Sequence, residues 1–345
     1  MDAQERRRPV SGPKLVIGAN GFLGSHVTRQ LVSAGHDVRA MVREGATTTG
    51  IDDLSTHRFV GDIWDNDTLT DAMTGCDDVY YCVVDTRGYL IDPAPLYRTN
   101  VDGTRNVLDV AEAVHRENPL RRFIFTSTYA TVDRRRGRVA SESDIITDET
   151  TLTPYVRTRV QAERMVLGST LPAVAMCVST TYGPGDWGRT PHGAIIAGAA
   201  FGKLPFVLGS IELEAVGVDD AAAAMILAAD RGQVGERYLI SEKMISNAEV
   251  VRIAADAAGV PGPTMTIPLP VTYAMGALGT AKARLRGKDE RLTLNAVRLM
   301  RAEAPVDHSK AVRELGWQPT PVEDSIAAAA QFWTSLRAAK AAQRD

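Results

Sequence analysis

Residues 14–43, KLVIGANGFLGSHVTRQLVSAGHDVRAMVR, decide the fold. Lys14 to Ile17 is a short, mostly apolar run that reads as a β-strand, and it breaks on Gly18. Gly21 and Gly24 follow at three-residue intervals. From Phe22 the apolar positions take helical spacing, with Leu23, Val27 and Leu31 on one face and Val32 beside them. Gly35 closes that helix, and His36 to Val42 is a second β-rich run. Strand, glycine turn, helix and strand in this length make one βαβ unit.

The glycines do separate physical work. The first permits a tight turn, the second lets a pyrophosphate approach the backbone, and the third lets the helix lie close to the strand. The helix N-terminus then offers free N–H groups and a positive dipole to the anion. A dinucleotide site is expected here, held by Gly18, Asn20, Gly21, Phe22, Leu23 and Gly24. The second strand ends in Val42-Arg43, where an NAD site would offer a carboxylate to the ribose 2′-hydroxyl. Arg43 suits a 2′-phosphate, so NADP is expected ahead of NAD; Glu44 is the competing carboxylate, and a solvated loop arginine is the plain alternative.

Outward from this unit the chain keeps alternating. His57 to Val60 is a third strand, followed by Gly61-Asp62-Ile63 and a helix from Asn66 to Met73. Asp62 is placed either to accept from an adenine amine or to cap a helix, and Ile63 to cover the adenine ring. Asp78 to Val84 is a fourth strand with its loop, Tyr97 to Glu112 a helix, and Arg122 to Thr126 a fifth strand that delivers Ser127 and Thr128 at its carboxyl edge. After the helix Tyr155 to Leu167, Val174 to Thr180 is another strand, and Tyr182-Gly183-Pro184-Gly185 turns the chain away. Val216 to Asp220 returns it, an alanine-rich helix runs to Asp230, Arg237 to Ile240 is a strand, and Asn247 is expected to cap the helix Ala248 to Ala258. Beyond Pro261 come a helix from Val271 to Leu285 and two short tail helices. The helix at 271–285 has a basic end (Lys282, Arg284, Arg286, Lys288) that suits a membrane surface, but a lid over an apolar pocket is the stronger expectation.

The expected architecture is α/β: a doubly wound parallel-sheet Rossmann domain with a smaller, mostly helical C-terminal substrate lobe. Residues 1–12 read as a disordered tail, 13–183 as the nucleotide-binding domain with 207–259 returning to it, and 184–206 with 260–345 as the substrate lobe. With 345 residues and 44% apolar composition the chain has material for both. A net charge of −3 gives no global field for nucleic acid. No stretch reaches the ~18 apolar residues of a membrane span, and the N-terminus lacks the apolar segment of a signal peptide. Cys76, Cys82 and Cys177 have no metal-ligand or disulfide spacing and suit a reducing, cytoplasmic setting. The run Asp133 to Arg138 carries Arg134, Arg135, Arg136 and Arg138; it reads first as a solvated loop and second as a landing place for an anionic substrate group.

Hydride transfer to a carbonyl needs a proton donor, a hydroxyl that holds the oxygen, and a cation that lowers the donor's pKa. Tyr155 and Arg159 stand four apart on one helix, so they share a face, and Thr128 (less favourably Ser127) supplies the hydroxyl from strand five.

With these residues in place the chain resembles an extended short-chain dehydrogenase/reductase over nearly its whole length. The resemblance is carried by GANGFLG, VRAMVR, GDIWD, YRTNVDGTRNVL, FIFTSTYA, PYVRTRVQAE, TYGPGD, VGVDDAAAA and KAVRELGWQP. Within that superfamily it is most similar to the dihydroflavonol-reductase and 3β-hydroxysteroid-dehydrogenase-like branch. The resemblance implies Thr128 as the positioning hydroxyl, Tyr155 as general acid/base, Arg159 in the place of the usual lysine, and NADP bound by Gly18, Gly21, Gly24 and Arg43. Asn100 matches a helix asparagine that orders the active site in relatives. Arg159 keeps the lysine's charge but not its shape or its proton exchange, and Cys177-Val178 replaces an Arg-Pro pair. Tyr129 and Ala130 stand where sugar-nucleotide dehydratases carry Asp–Glu, and Tyr182-Gly183-Pro184 where epimerases carry Tyr-Phe-Asn. The expected activity is reduction of a ketone or oxidation of a secondary alcohol on a fairly apolar small molecule, by a possible homodimer. A nucleotide-sugar epimerase with NAD and a non-catalytic NADP sensor are the alternatives.

Overall fold

The structure is a computed structural model that describes residues 12–134, 137–209, 211–300 and 304–342. The tail expected at 1–12 (apart from Gly12), Arg135 and Arg136 lie outside the described residues. The first strands and helices follow the sequence reading closely: β1 Lys14–Ile17, α1 Phe22–Ser33, β2 Val38–Val42, β3 His57–Val60, α2 Asn66–Met73 and β4 Asp78–Tyr81. Then come α3 Ala94–Tyr97, a π-helical turn Arg98–Asp102, α4 Gly103–Glu117, β5 Arg122–Thr128, α5 Pro154–Leu167, β6 Ala173–Val178 and β7 Thr180–Tyr182. The remainder is α6 Pro191–Ala200, β8 Val207–Leu208, β9 Glu212–Gly217, α7 Val218–Arg231, β10 Arg237–Ile240, β11 Lys243–Ser246 and α8 Asn247–Ala257. It closes with β12 Thr266–Ile267, α9 Leu269–Arg286, α10 Leu294–Leu299 and α11 Val322–Ala342.

Seven strands form one parallel sheet in the order β10-β6-β5-β4-β1-β2-β3. Helices cover both faces, which is why β1, β4 and β6 are continuously buried rather than alternating. On one face Val27 and Leu31 of α1 and Ala224 and Ala228 of α7 share a core with Val16, Val174 and Met176 of the sheet. On the other, Leu69 of α2, Val107 and Ala111 of α4 and Ala162 and Val166 of α5 pack with Leu15, Phe123 and Phe125. Chain order reverses between β1 and β4, and that crevice is where a ligand sits in a sheet of this kind.

Several boundaries differ from the reading of the sequence, each for a local reason. The fourth strand ends at Tyr81. The helix expected over 97–112 runs from Ala94 to Glu117, interrupted by the π turn, and Val114 extends its buried face one turn further. Ser127 and Thr128 are part of β5, because they pair with Cys177 and Val178 of β6. The segment expected as a strand over 216–220 is the end of β9, and helix α7 begins at Val218. Ser246 rather than Asn247 caps α8, its hydroxyl accepting from the Glu249 N–H at 3.1 Å. The second tail helix is not short, since α11 spans 21 residues. Of the segment 207–259, α7 and β10 join the large sheet, whereas β9 pairs with β7 and β11 outside it. Helix α8 packs with α6 and α11 around Ile196, Val250, Ile326 and Trp333.

Candidate functional site

The carboxyl edge of the large sheet gathers the residues singled out by sequence. Gly18 leaves β1 with φ +83°, and its N–H donates to the Met41 carbonyl at 3.0 Å, tying the turn to the end of β2. A side chain at Gly24 would put its Cβ 2.2 Å from the Gly18 carbonyl oxygen, so the first turn of α1 lies against the strand end in a way only glycine permits. Gly21 is the N-cap and offers no side chain to the first turn, which also carries no acidic residue. The N-terminal N–H groups of α1 are therefore left for an outside acceptor. Asn20 donates from its side chain to the Thr47 carbonyl at 3.2 Å and closes the turn from above. Phe22 and Leu23 open the helix. This cradle fits a dinucleotide pyrophosphate.

Arg43 stands exposed one residue past β2 and forms no ion pair among the described residues. Asp62 follows β3 and is exposed, its carboxylate accepting from the Trp64 N–H at 2.8 Å; Asp65 is the cap of α2. Ile63 is buried, with its carbonyl bound by Asn106 at 2.8 Å.

At the other side of the crevice β5 and α5 meet. Thr153 caps α5 and Pro154 sets its first turn, so Tyr155 projects from the helix start toward β5. Thr128, 8% exposed, stands beside the Tyr155 phenol, close enough to act on its pKa, and its hydroxyl accepts from the Ala130 N–H at 3.3 Å. Burial pushes the Tyr155 phenol above its usual pKa; the Arg159 charge and the Thr128 hydroxyl pull it down without overcoming that. The neighbouring cation acts in the expected direction, but desolvation outweighs it, and the phenol stays protonated at neutral pH.

Arg159 is fully buried. Its Nη2 donates to the Thr126 carbonyl and its guanidinium lies 4.9 Å over the Phe125 ring, a stacking geometry that an ammonium does not share. Burial lowers its pKa, while Tyr155 and Tyr81 act to raise it. Its Nε and Nη1 have no hydrogen-bond partner and no solvent. Each such buried donor costs about 1–3 kcal/mol, so the site is short of acceptors beside Tyr155.

Two supporting residues complete the arrangement. Asn100, in the π turn, is fully buried; its Oδ1 accepts from the Asp85 N–H at 2.8 Å, and its Nδ2 donates to the Asp85 carbonyl at 3.0 Å and the Thr158 hydroxyl at 3.2 Å. It joins the loop after β4 to α5, and π turns of this kind are common at working sites. Glu163, one turn beyond Arg159, is a residue that sequence reasoning does not single out. Its buried carboxylate accepts from Ser127, from Thr131 at 2.8 Å and from Cys177 at 3.3 Å, and pairs with Arg237 at 2.9 Å. Ser127 is thereby turned away from Tyr155 and spent on the frame. The signal for Glu163 is its place as the i, i+4 continuation of Tyr155 and Arg159 along α5.

The arginine run divides. Arg134 stacks at 4.6 Å over Tyr129, and Arg138 pairs with Asp144, so neither is a merely solvated side chain. A cavity of about 540 Å³ lies in the C-terminal lobe, lined by Arg189, Phe201, Arg291, Trp333 and Arg337 among others. Thr128, Tyr155 and Arg159 do not line it.

A glycine turn at the switch point of a doubly wound sheet, opposite a Tyr–Thr pair on β5 and α5, defines a dinucleotide-binding enzyme. Residues 14–241 match the NAD dependent epimerase/dehydratase family, and the chain belongs to it. It is an NAD(P)-dependent oxidoreductase of the extended short-chain dehydrogenase/reductase type. Among curated relatives, it is 29% identical to a putative dihydroflavonol 4-reductase of Synechocystis sp., over 92% of this chain and 93% of the relative. It is 27% identical to sterol demethylase protein B of Methylococcus capsulatus, over 92% and 97%. Among solved structures, gox2253 superposes with a TM-score of 0.80 at 30% identity, covering 93% of this chain and 98% of that one. A UDP-glucose 4-epimerase from Thermotoga maritima shares the fold at 17% identity, with a TM-score of 0.74 over 94% and 99% of the two chains. No helix among the described residues is long and apolar enough to cross a membrane.

Proposed function

We propose that the chain reduces a ketone, or oxidises the corresponding secondary alcohol, on a fairly apolar, ring-containing small molecule with NADP(H). The observation that carries this reading is the placement of Tyr155 at the start of α5 beside Thr128 of β5, with the Arg159 guanidinium one turn further along the same helix. The bound nicotinamide supplies or accepts the hydride. Tyr155 gives the proton to the carbonyl oxygen, and Thr128 holds that oxygen by a second hydrogen bond. Arg159, buried one helical turn away, stabilises the phenolate left behind through its charge. Because a guanidinium does not release a proton in the working range, the phenol regains its own from water or substrate rather than through residue 159.

Gly18, Asn20, Gly21, Phe22, Leu23 and Gly24 hold the pyrophosphate, and Asp62 and Ile63 border the adenine. Arg43, exposed and without an ion pair among the described residues, takes the 2′-phosphate. The relatives named for dihydroflavonol and sterol chemistry support a ring-containing substrate. The absence of the dehydratase Asp–Glu pair at Tyr129 and Ala130 weighs against water elimination. The reading includes a homodimer through α4 and α5 and a reducing, cytoplasmic compartment, in keeping with three free thiols. The test is consumption of NADPH and NADH against a panel of cyclic ketones, with the nucleotide that co-purifies identified by mass spectrometry. Turnover with NADPH supports the reading. Tightly retained NAD with turnover of a nucleotide sugar would replace it with the epimerase reading, and binding without turnover with the sensor reading.

A further inference from the structure

Helix α9 is built inside out. Its buried residues are Thr272, Gly276, Thr280 and Ala283, small or polar side chains. The close approach accounts for this: a Cβ at Gly279 would lie 2.0 Å from the Leu292 carbonyl oxygen, and one at Gly276 would lie 2.9 Å from Val297 of α10. The large aliphatic residues of the helix face the other way. Val271, Leu278 and Leu285 are 46%, 72% and 88% exposed, and with exposed Ala274 and Ala281 they form one stripe opposite the packed face. The stripe therefore covers no pocket, and the expectation of a lid is corrected for this face.

Charge follows the same helix. Its first thirteen residues, Leu269 to Ala281, carry none, whereas Lys282, Arg284, Arg286 and Lys288 crowd its end. Of the two acids that follow, Glu290 pairs with Lys282 at 2.5 Å and Asp289 acts on Arg87. Arg284, Arg286 and Lys288 have no ion pair among the described residues. The next loop continues the charge, since Arg291 lines the cavity with Arg189, Arg337 and Lys340.

We propose that α9 docks this protein on the surface of an anionic lipid bilayer, with the Val271–Leu285 stripe entering the headgroup boundary and the cations flanking it on the lipid phosphates. An apolar stripe that runs into a cluster of cations at one end joins the two attractions that hold a helix at an anionic interface. A second copy of the chain is the weaker occupant. The stripe spans only two heptads, short of the three or four a coiled coil needs. An antiparallel partner would set the cations against an uncharged half-helix, and a parallel one would stack them on each other. The helix also lies one layer from Tyr155, because α10 beneath it brings Leu299 into the cluster around that residue. Docking there places the entrance to an apolar substrate beside the phase in which such a molecule dissolves.

The experiment is sedimentation of the full-length protein with extruded vesicles of phosphatidylcholine and phosphatidylglycerol, against vesicles of phosphatidylcholine alone. Wild type is expected in the pellet with the anionic vesicles, with partition on the order of 100-fold weaker to the neutral ones, as three cations near an anionic surface predict. The L278E/L285E variant is expected in the supernatant, with its melting temperature and NAD(P) binding unchanged; L285E alone serves as the milder variant. The proposal is overturned if wild type stays in the supernatant, or if both variants sediment like wild type. It is also overturned if light scattering shows that the substitutions turn a dimer into a monomer while vesicle binding is unaltered.

Discussion

The two sides of the crevice are made of different material. On the α1 side the binding surface is backbone: a positive-φ Gly18, a helix start without a side-chain cap, and a Gly24 so close to the strand end that no Cβ fits. On the α5 side the proposed working groups are side chains: a phenol, a hydroxyl and a guanidinium, with a buried carboxylate one turn further along the helix. The backbone side tolerates almost no change in residue type but accepts any ligand with the right anion. The side-chain side holds an arginine at residue 159, where the family resemblance implies a lysine, by giving the larger cation a ring to lie on and a carbonyl to hold.

The sharpest way to separate the two sides is Tyr155→Phe. Turnover is expected to fall by roughly 10²–10⁴, the range of a lost general acid, while nucleotide affinity measured by fluorescence titration holds. Full activity in that variant would break the division. Glu163→Ala tests the frame beneath the side-chain side. It strands Arg237 in a buried position and is expected to cost about 3–5 kcal/mol in urea unfolding. Gly24→Ala is the counterpart on the backbone side. Overpacking against the Gly18 carbonyl is expected to cost about 1–3 kcal/mol and to weaken binding of NADP and NAD alike.

Arg43→Ala sharpens the comparison further by touching only the far end of the cofactor. Affinity for NADPH is expected to drop about ten- to a hundredfold with NADH little changed, as the loss of a charged hydrogen bond implies. The smallest effect is expected from Arg159→Met, read in the pH profile of reduction. Reduction needs the protonated phenol, so its rate falls as pH rises through the Tyr155 pKa. Arg159 pulls that pKa down, so its removal moves the alkaline fall upward. A fall moved downward would mean that the guanidinium does not act on the phenol.

The backbone side is legible in the sequence because glycines at fixed spacing between a strand and a helix serve few purposes besides an anion-binding turn. The strand order and the position of the crevice follow from the same alternation. The side-chain side is legible only in part. Tyr155, Arg159 and Thr128 stand out in the sequence and do come together, but the sign of the Tyr155 shift does not, since burial depth is a property of the packed sheet and not of residue spacing. Glu163 escapes notice because a glutamate on a helix ordinarily faces water, and its partners Ser127, Thr131, Cys177 and Arg237 arrive from separate strands and a loop. The cap of α8 falls one residue from its expected place because Ser246 and Asn247 are both good capping residues, and only the register of β11 decides between them.

The π turn at Arg98–Asp102 has a consequence for access. By taking one residue more than an α turn, it aims the Asn100 amide back at Asp85 and hangs the segment after β4 from that point. Three residues along, Gly88 sits so near Leu299 that an added methyl would stand 2.5 Å from it, and 3.5 Å from Tyr155. A side chain larger than hydrogen at residue 88 would therefore press on the leucine and the catalytic-face tyrosine together, and the tether at Asn100 holds the loop that brings this glycine so close.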